Sequence, residues 1–161
     1  TDLPPVRFTT DVPITTAQDM YDAVTSRFEE MDVLVMAAAV ADYRPVTVAS
    51  DKIKKKDGDL SIPVERTADI LGTIGPKKTR QFLCGFSMET RDMVENSTAK
   101  LTRKNLDMVV ANNLKVAGAG FGVDTNVVTF ITPDGTRELP LMSKADVADA
   151  ILDEILKRRG L

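Results

Sequence analysis

The chain is expected to fold as an α/β domain: an open, doubly wound, mostly parallel sheet of the Rossmann-like kind with two projecting β-hairpins. Three observations carry this expectation. The run at residues 33–39 is apolar throughout rather than alternating, and 81–86 and 106–111 read as strands of the same buried kind. Stretches with helical apolar spacing lie between and after them. Asp57-Gly58-Asp59 and Pro133-Asp134-Gly135 each divide two extended runs and read as hairpin turns. The 161 residues predict a single domain, 1–161.

Taken in order, residues 6–9 form a short strand candidate between Pro4-Pro5 and Pro13. Thr16 caps the first helix, with Asp19 as the acidic partner of a capping box. Met20, Ala23, Val24, Phe28 and Met31 make its apolar stripe. The run at 33–39 then reads as a central strand, which completes a strand–helix–strand crossover unit. Its end shrinks to Ala37-Ala38-Ala39, where a flat ligand or another backbone can approach closely. Asp42, Tyr43, Arg44 and Pro45 follow just past its carboxyl end, where open α/β sheets bind ligands.

Residues 52–56 and 60–64 flank the first hairpin turn. A short helix starts at Thr67 and ends near Gly75-Pro76. The strand at 81–86 leads through Glu89-Thr90 into a helix at about 91–104, and a strand at 106–111 stops at Asn112-Asn113. Gly118, Gly120 and Gly122 mark a loop, and a strand and hairpin follow where a dinucleotide fingerprint requires a helix. Residues 127–132 and 136–139 form the second hairpin. Ser143 caps the last helix with Asp146 at the third position, and Val147, Ile151 and Ile155 share one face beside Ala148, Leu152 and Leu156.

Composition excludes several function classes. Apolar residues make up 43 % and charged residues 28 %, as in ordinary globular domains, and no apolar run approaches the ~20 residues of a membrane span. No signal peptide is visible, so a cytoplasmic protein is the expectation. The chain has no His, which removes Ser-His and Cys-His nucleophilic mechanisms and the usual zinc sites. Cys84, the single cysteine, lies in an apolar run and reads as a buried structural thiol. A net charge of −3 argues against nucleic-acid binding, while locally clustered lysines suit a small phosphorylated ligand. Such a chain must work with Lys, Asp, Glu, backbone amides or a metal.

The segment Ala38-Ala39-Val40-Ala41-Asp42-Tyr43-Arg44-Pro45, followed by Lys52-Ile53-Lys54-Lys55, resembles the signature of phosphopantothenoylcysteine synthetase. That family is the ligase half of the bacterial bifunctional coenzyme A biosynthesis protein, and the resemblance covers essentially the whole chain. Nothing in residues 1–13 matches the Gly-rich first βα unit of the family, so the expectation is a domain incomplete at its amino terminus. The resemblance implies a ligase that joins 4′-phosphopantothenate to cysteine through an acyl cytidylate, with CTP as co-substrate and Mg²⁺ bridging its phosphates. A homodimer and a fused or associated flavin-dependent decarboxylase are the implied partners, with no nucleic acid and no membrane. The hairpin near Lys52 and residues 127–132 are the expected interface, since projecting hairpins expose strand edges.

The resemblance also assigns residues, each with a plainer reading beside it. Lys52 is the implied catalytic lysine and nucleotide ligand; otherwise it is one of several solvated lysines on an edge hairpin. Asp42 accepts from the nucleotide, with Met36, Ala37 and Ala38 lining the same site, or simply caps a turn beside Arg44. Ala68, Asp69, Ile70 and Leu71 are a further nucleotide contact at a helix amino terminus. Phe86 flanks the nucleotide in a Gly-Phe-x-x-Glu-Thr pattern or belongs to the core, and Glu89 is a candidate metal carboxylate. Lys100 and Lys104 share a helix face and would hold the triphosphate, though cations in a last helical turn are favoured by the macrodipole alone. Two rival classes remain open: a nicotinamide-dependent reductase with Tyr43 as proton donor, and a nucleotide-binding fragment without catalysis.

Overall fold

The computed structural model describes residues 4–54, 58–89, 92–113 and 122–161, with the side chains of Glu89 and Asn113 outside the description. Contacts divide the chain into two compact units. One comprises Thr1–Glu29 and Ala39–Ile70, the other Glu30–Ala38 and Leu71–Leu161.

The first unit holds helix α1 (Ala17–Thr25). Its capping box forms as expected: the Thr16 side chain accepts from the Asp19 amide at 3.1 Å, and the Asp19 carboxylate accepts from the Thr16 amide at 2.8 Å. The Thr16 amide, followed by the Thr15 amide at 3.0 Å, holds the Asp19 carboxyl below the usual carboxylate range. The helix stops at Thr25, so Phe28 lies in a 3₁₀ turn, Phe28–Glu30, and the expected stripe does not continue through Met31. The strand expected at 6–9 is absent. Phe8 takes a left-handed φ of 65°, which no strand tolerates, between prolines that supply no donors.

The second unit carries the main sheet. Strand β1 is Val33–Met36; β2 (Tyr43–Pro45) and β3 (Val64–Arg66) belong to the first unit. Then follow α2 (Ile70–Ile74), a 3₁₀ turn at Gly75–Lys77, β4 (Phe82–Glu89), α3 (Met93–Arg103) and β5 (Met108–Asn113). The chain closes with β6 (Thr125–Asn126), β7 (Val128–Thr132), β8 (Gly135–Glu138), β9 (Met142–Ser143) and α4 (Lys144–Arg159). The main sheet has the order β1-β4-β5-β7-β8, with β1, β4 and β5 parallel and β7 and β8 antiparallel. β2–β3 and β6–β9 form small separate ribbons.

Alternation along the strands sends residues to two faces. Phe82, Cys84, Met108, Val110, Val128 and Phe130 pack against Val147, Ile151 and Ile155 of α4. On the other face α3 packs on β4, β5 and β7, and the Ser97 hydroxyl donates to the Ser87 hydroxyl at 2.9 Å in a buried pair. The fold is therefore the expected α/β sheet with helices on both faces. Burial, with the Asp107 charge second, pushes the Cys84 thiol up to about 12, as an inert structural cysteine requires.

Several expectations change. The run at 33–39 is not a central strand: β1 is at the edge of the sheet, paired only with β4 among the described residues, and Val35 is exposed. A continuous apolar run cannot report how many neighbours its strand has. The first hairpin forms elsewhere, with Tyr43 opposite Arg66 and Pro45 opposite Val64. Residues 52–54 and 58–62 are in no strand, and 55–57 lie outside the described residues. Pro63 offers no donor and clustered lysines repel, so pairing there is disfavoured. The second hairpin does not project. Its β7 is buried throughout and bonded to β5 and β8, so residues 127–132 cannot serve as the expected interface. On α4, Leu152 and Leu156 are exposed rather than packed.

Candidate functional site

The three parallel strands end unevenly. β1 pairs with β4 only as far as Met36 opposite Gly85, whereas β4 and β5 continue to Glu89 opposite Asn113. The Phe82 amide donates to Asp32 on the β1 side, and the Leu83 carbonyl accepts from Asp107 on the β5 side. By strand alternation the Phe86 carbonyl faces the β1 side, one residue beyond the last β1 pair. Lys100 of α3 supplies the partner: its Nζ donates to that carbonyl at 2.6 Å. An ammonium thus stands at the carboxyl edge just past β1, and the sequence-predicted residues Met36, Ala37 and Ala38 leave β1 at this edge. Ala37 and Ala38 are exposed and Met36 is half-buried.

Phe86 itself is half-buried, and its ring packs against the α4-side core. The plainer reading therefore holds for much of this ring, while its carbonyl serves Lys100. Lys104 is the C-cap of α3, one turn further from the carboxyl edge, and its amide donates to the Lys100 carbonyl at 3.0 Å. The two lysines share a helix face as expected; Lys100 is the one brought to the strand edge. Glu89 ends β4, and its side chain lies outside the described residues. Among the described residues no group of three His, Cys, Asp or Glu is placed to hold a metal ion.

Sequence reasoning missed Asn112. Its Oδ1 is buried without a hydrogen-bond partner among the described residues, at the carboxyl end of β5 opposite Met88. An acceptor left unpaired in a native interior points to a missing partner. The only signal in the sequence was an amide residue at the end of an apolar run.

In the first unit, Asp42 and Lys52 are both exposed. Asp42 precedes β2, and the Thr67 amide donates to its carbonyl at 3.0 Å. This joins Asp42 to the segment that leads into Ala68 and Asp69, both exposed. The expected helix starts later, at Ile70, and Ile70 and Leu71 are buried. Any contact they make with a ligand is through backbone, since their side chains are inside. Tyr43 is exposed, with the Arg66 guanidinium 5.9 Å from its ring centroid, and Arg44 pairs with Glu65 at 2.8 Å. Arg44 thus finds its carboxylate across the ribbon rather than in neighbouring Asp42. The glycine loop at 118–122 lies outside the described residues apart from Gly122, whose φ is 73°.

A shallow cleft of about 290 Å³ opens at the opposite, amino-terminal edge, beside the β7–β8 turn. Two arginines and two carboxylates of its lining pair with each other. Arg158 donates to Glu154, Asp134 and Thr132 at 2.7–2.9 Å, and Arg137 pairs with Glu154 at 3.0 Å. This network ties the turn to α4.

An open sheet with parallel strands, small residues after β1 and an anchored ammonium at the carboxyl edge belongs to the ligand-binding α/β class. Within that class, the family model of the DNA/pantothenate metabolism flavoprotein C-terminal domain matches residues 1–158, and the chain belongs to this family. The chain is 49 % identical over 145 residues to a Bacillus subtilis protein named coenzyme A biosynthesis bifunctional protein CoaBC, covering 89 % of this chain and 36 % of that protein. The crystal structure of a C-terminal domain of CoaBC superimposes with a TM-score of 0.79 at 43 % identity, over 98 % of this chain and 72 % of that one. A Cab2 mutant in complex with phosphopantothenate-cysteine shares the fold at 20 % identity, with a TM-score of 0.73 over 92 % of this chain and 52 % of that one. The resemblance carried by the Asp42 and Lys52 motifs is borne out at the level of the family. The chain spans little more than a third of the Bacillus protein's length.

Proposed function

We propose that this chain is the ligase part of a coenzyme A biosynthesis protein, joining 4′-phosphopantothenate to cysteine at the expense of CTP. The observation that carries the reading is the 49 % identity to the Bacillus bifunctional protein over 145 residues of this chain. A carboxylate oxygen of phosphopantothenate attacks the α-phosphorus of CTP, and pyrophosphate leaves. The cysteine amine then attacks the acyl carbon of the cytidylate, loses a proton, and CMP leaves.

In-line attack at phosphorus needs positioning and charge neutralisation more than an acid–base pair, which a His-free, lysine-bearing site can supply. Lys52 neutralises charge as carboxylate and α-phosphate meet. Lys100 and Lys104 hold the phosphates, while Phe86, Met36, Ala37, Ala38 and the segment Ala68, Asp69, Ile70 and Leu71 surround the nucleotide. Asp42 accepts from its ribose or base, and the unpaired Asn112 Oδ1 suits a nucleobase amino group. Mg²⁺ would ride on the phosphates, neutralising them, with Glu89 as the candidate protein carboxylate.

The apolar residues Tyr43 and Val64 of the β2–β3 ribbon, and Val46 next to it, are exposed. Three residue pairs do not hold a ribbon in water alone, so a second copy of the chain is the proposed cover. No described helix is long and apolar enough to cross a membrane, and we place the protein in the cytoplasm with a flavin-dependent decarboxylase as its fused or associated partner.

Titration calorimetry with Mg-CTP, against Mg-ATP and NADPH, tests the reading first. Selective CTP binding followed by phosphopantothenate-dependent pyrophosphate release supports it. CTP binding without pyrophosphate release leaves the non-catalytic module, and selective NADPH binding turns the reading to a reductase.

A further inference from the structure

The β2–β3 ladder runs from Tyr43 opposite Arg66 to Pro45 opposite Val64. Extending that register by one residue sets Thr67 opposite Asp42, and the Thr67 amide donates to the Asp42 carbonyl at 3.0 Å. The Thr67 hydroxyl makes a second bond that no ladder requires, donating to the Ala41 carbonyl at 2.5 Å. One residue thereby holds two successive carbonyls. Fixing both orients the peptide between Ala41 and Asp42, and with it the Cα from which the Asp42 carboxylate projects. Thr67 is itself half-buried, whereas Ala41, Asp42, Ala68 and Asp69 are exposed.

We infer that Thr67 is a positioning residue: its hydroxyl sets the Asp42 carboxylate, and the adjoining Ala68-Asp69 segment, for the nucleotide. The inference rests on the ligase reading above. Thr67 touches no reacting atom; it acts through the loop it holds. A short, β-branched residue with a hydroxyl meets the requirement, because it reaches a carbonyl beside the one its own amide binds.

Thr67→Val keeps the shape and removes the donor. Loss of one neutral hydrogen bond is expected to raise the KM for CTP about fivefold while kcat stays within about twofold. Thr67→Ser, which restores the hydroxyl, is expected to return KM to the wild-type value. Without any ligand, amide exchange at Thr67 should quicken in Thr67→Val and not in Thr67→Ser. A lowered kcat with unchanged KM, or exchange that does not respond to the hydroxyl, overturns the inference. If Thr67→Val melts early, Thr67→Ala carries the same comparison. A wild-type protein that neither binds CTP nor releases pyrophosphate overturns the ligase reading and this inference together. Failure of the inference alone looks different: the wild type is active and Thr67→Val matches it.

Discussion

Lys100 donates to the Phe86 carbonyl at 2.6 Å, one residue beyond the point where β1 stops pairing with β4. A strand that outruns its neighbour leaves carbonyls facing an empty lane, and here an ammonium occupies the first of them. On the ligase reading proposed above, the same cation that completes the sheet would also meet a phosphate. Lys100→Met keeps the stem and deletes the charge. It is expected to lower stability by about 1–2 kcal/mol, as a charge-assisted bond is lost, and to weaken CTP binding tenfold or more. Urea unfolding and calorimetric titration read the two effects separately. Unchanged CTP affinity would remove Lys100 from the nucleotide site.

Lys52 presents the opposite balance. It is exposed in a segment outside any strand, so its loss should leave the fold intact. Lys52→Ala is expected to keep the wild-type melting temperature within about a degree while pyrophosphate release falls at least a hundredfold, as removal of a transition-state cation does. Near-normal turnover would return Lys52 to the solvated lysines of its segment.

Gly75 bears on stability alone. A Cβ added there would run into the Lys104 carbonyl oxygen, a backbone atom that cannot swing aside, and the Gly75 carbonyl also accepts from the Asn105 side chain at 2.9 Å. Gly75→Ala is expected to cost about 2–3 kcal/mol through forced backbone displacement. A shift in the urea midpoint with an unchanged slope would register it, and a midpoint equal to wild type would show that α3 yields freely.

Cys84 makes a prediction in pH. Its thiol has a pKa of about 12 in the fold, raised by burial and then by Asp107, against 9.0 for the unreacted reference group. Between these values the unfolded chain releases a proton that the folded chain keeps. The contribution is therefore intact below pH 9 and fades as pH rises from 9 toward 12, at up to about 1.4 kcal/mol per pH unit. Cys84→Ala should flatten that limb of the stability profile. In the native protein at pH 8 a thiol reagent should label Cys84 only as fast as the fold opens.

Local chemistry was the legible part of this sequence. The Thr16–Asp19 box and the Ser143 cap need only neighbours three residues away, and both form. The Pro133–Asp134 turn likewise declares itself, but whether its hairpin projects or joins the sheet depends on β5, far upstream, and it joins. The edge position of β1 was illegible for the same reason, since the apolar character of Val33 to Met36 says nothing about how many strands flank it. The first hairpin was drawn at the Asp-Gly dipeptide, while the ladder forms between Tyr43–Pro45 and Val64–Arg66, because pairing rewards the register that a turn motif does not encode. Asp42, Lys52, Phe86 and Lys100 could be named as candidates in advance from their motifs. The bond from Lys100 to Phe86 could not, since it follows from unequal strand lengths. Asn112 was passed over because nothing local marks an amide that will be buried unpaired.

The uneven sheet has a consequence for how the chain assembles. β7 and β8 close over a two-residue turn, a contact formed almost at once, whereas Val33 of β1 must find Phe82 across about fifty residues, at a loop-closure entropy that grows with the logarithm of that separation. The antiparallel half is thus expected to form early, with β1 the last strand to dock. Until it does, the carboxyl edge beside the Lys100 ammonium stays open on the β1 side.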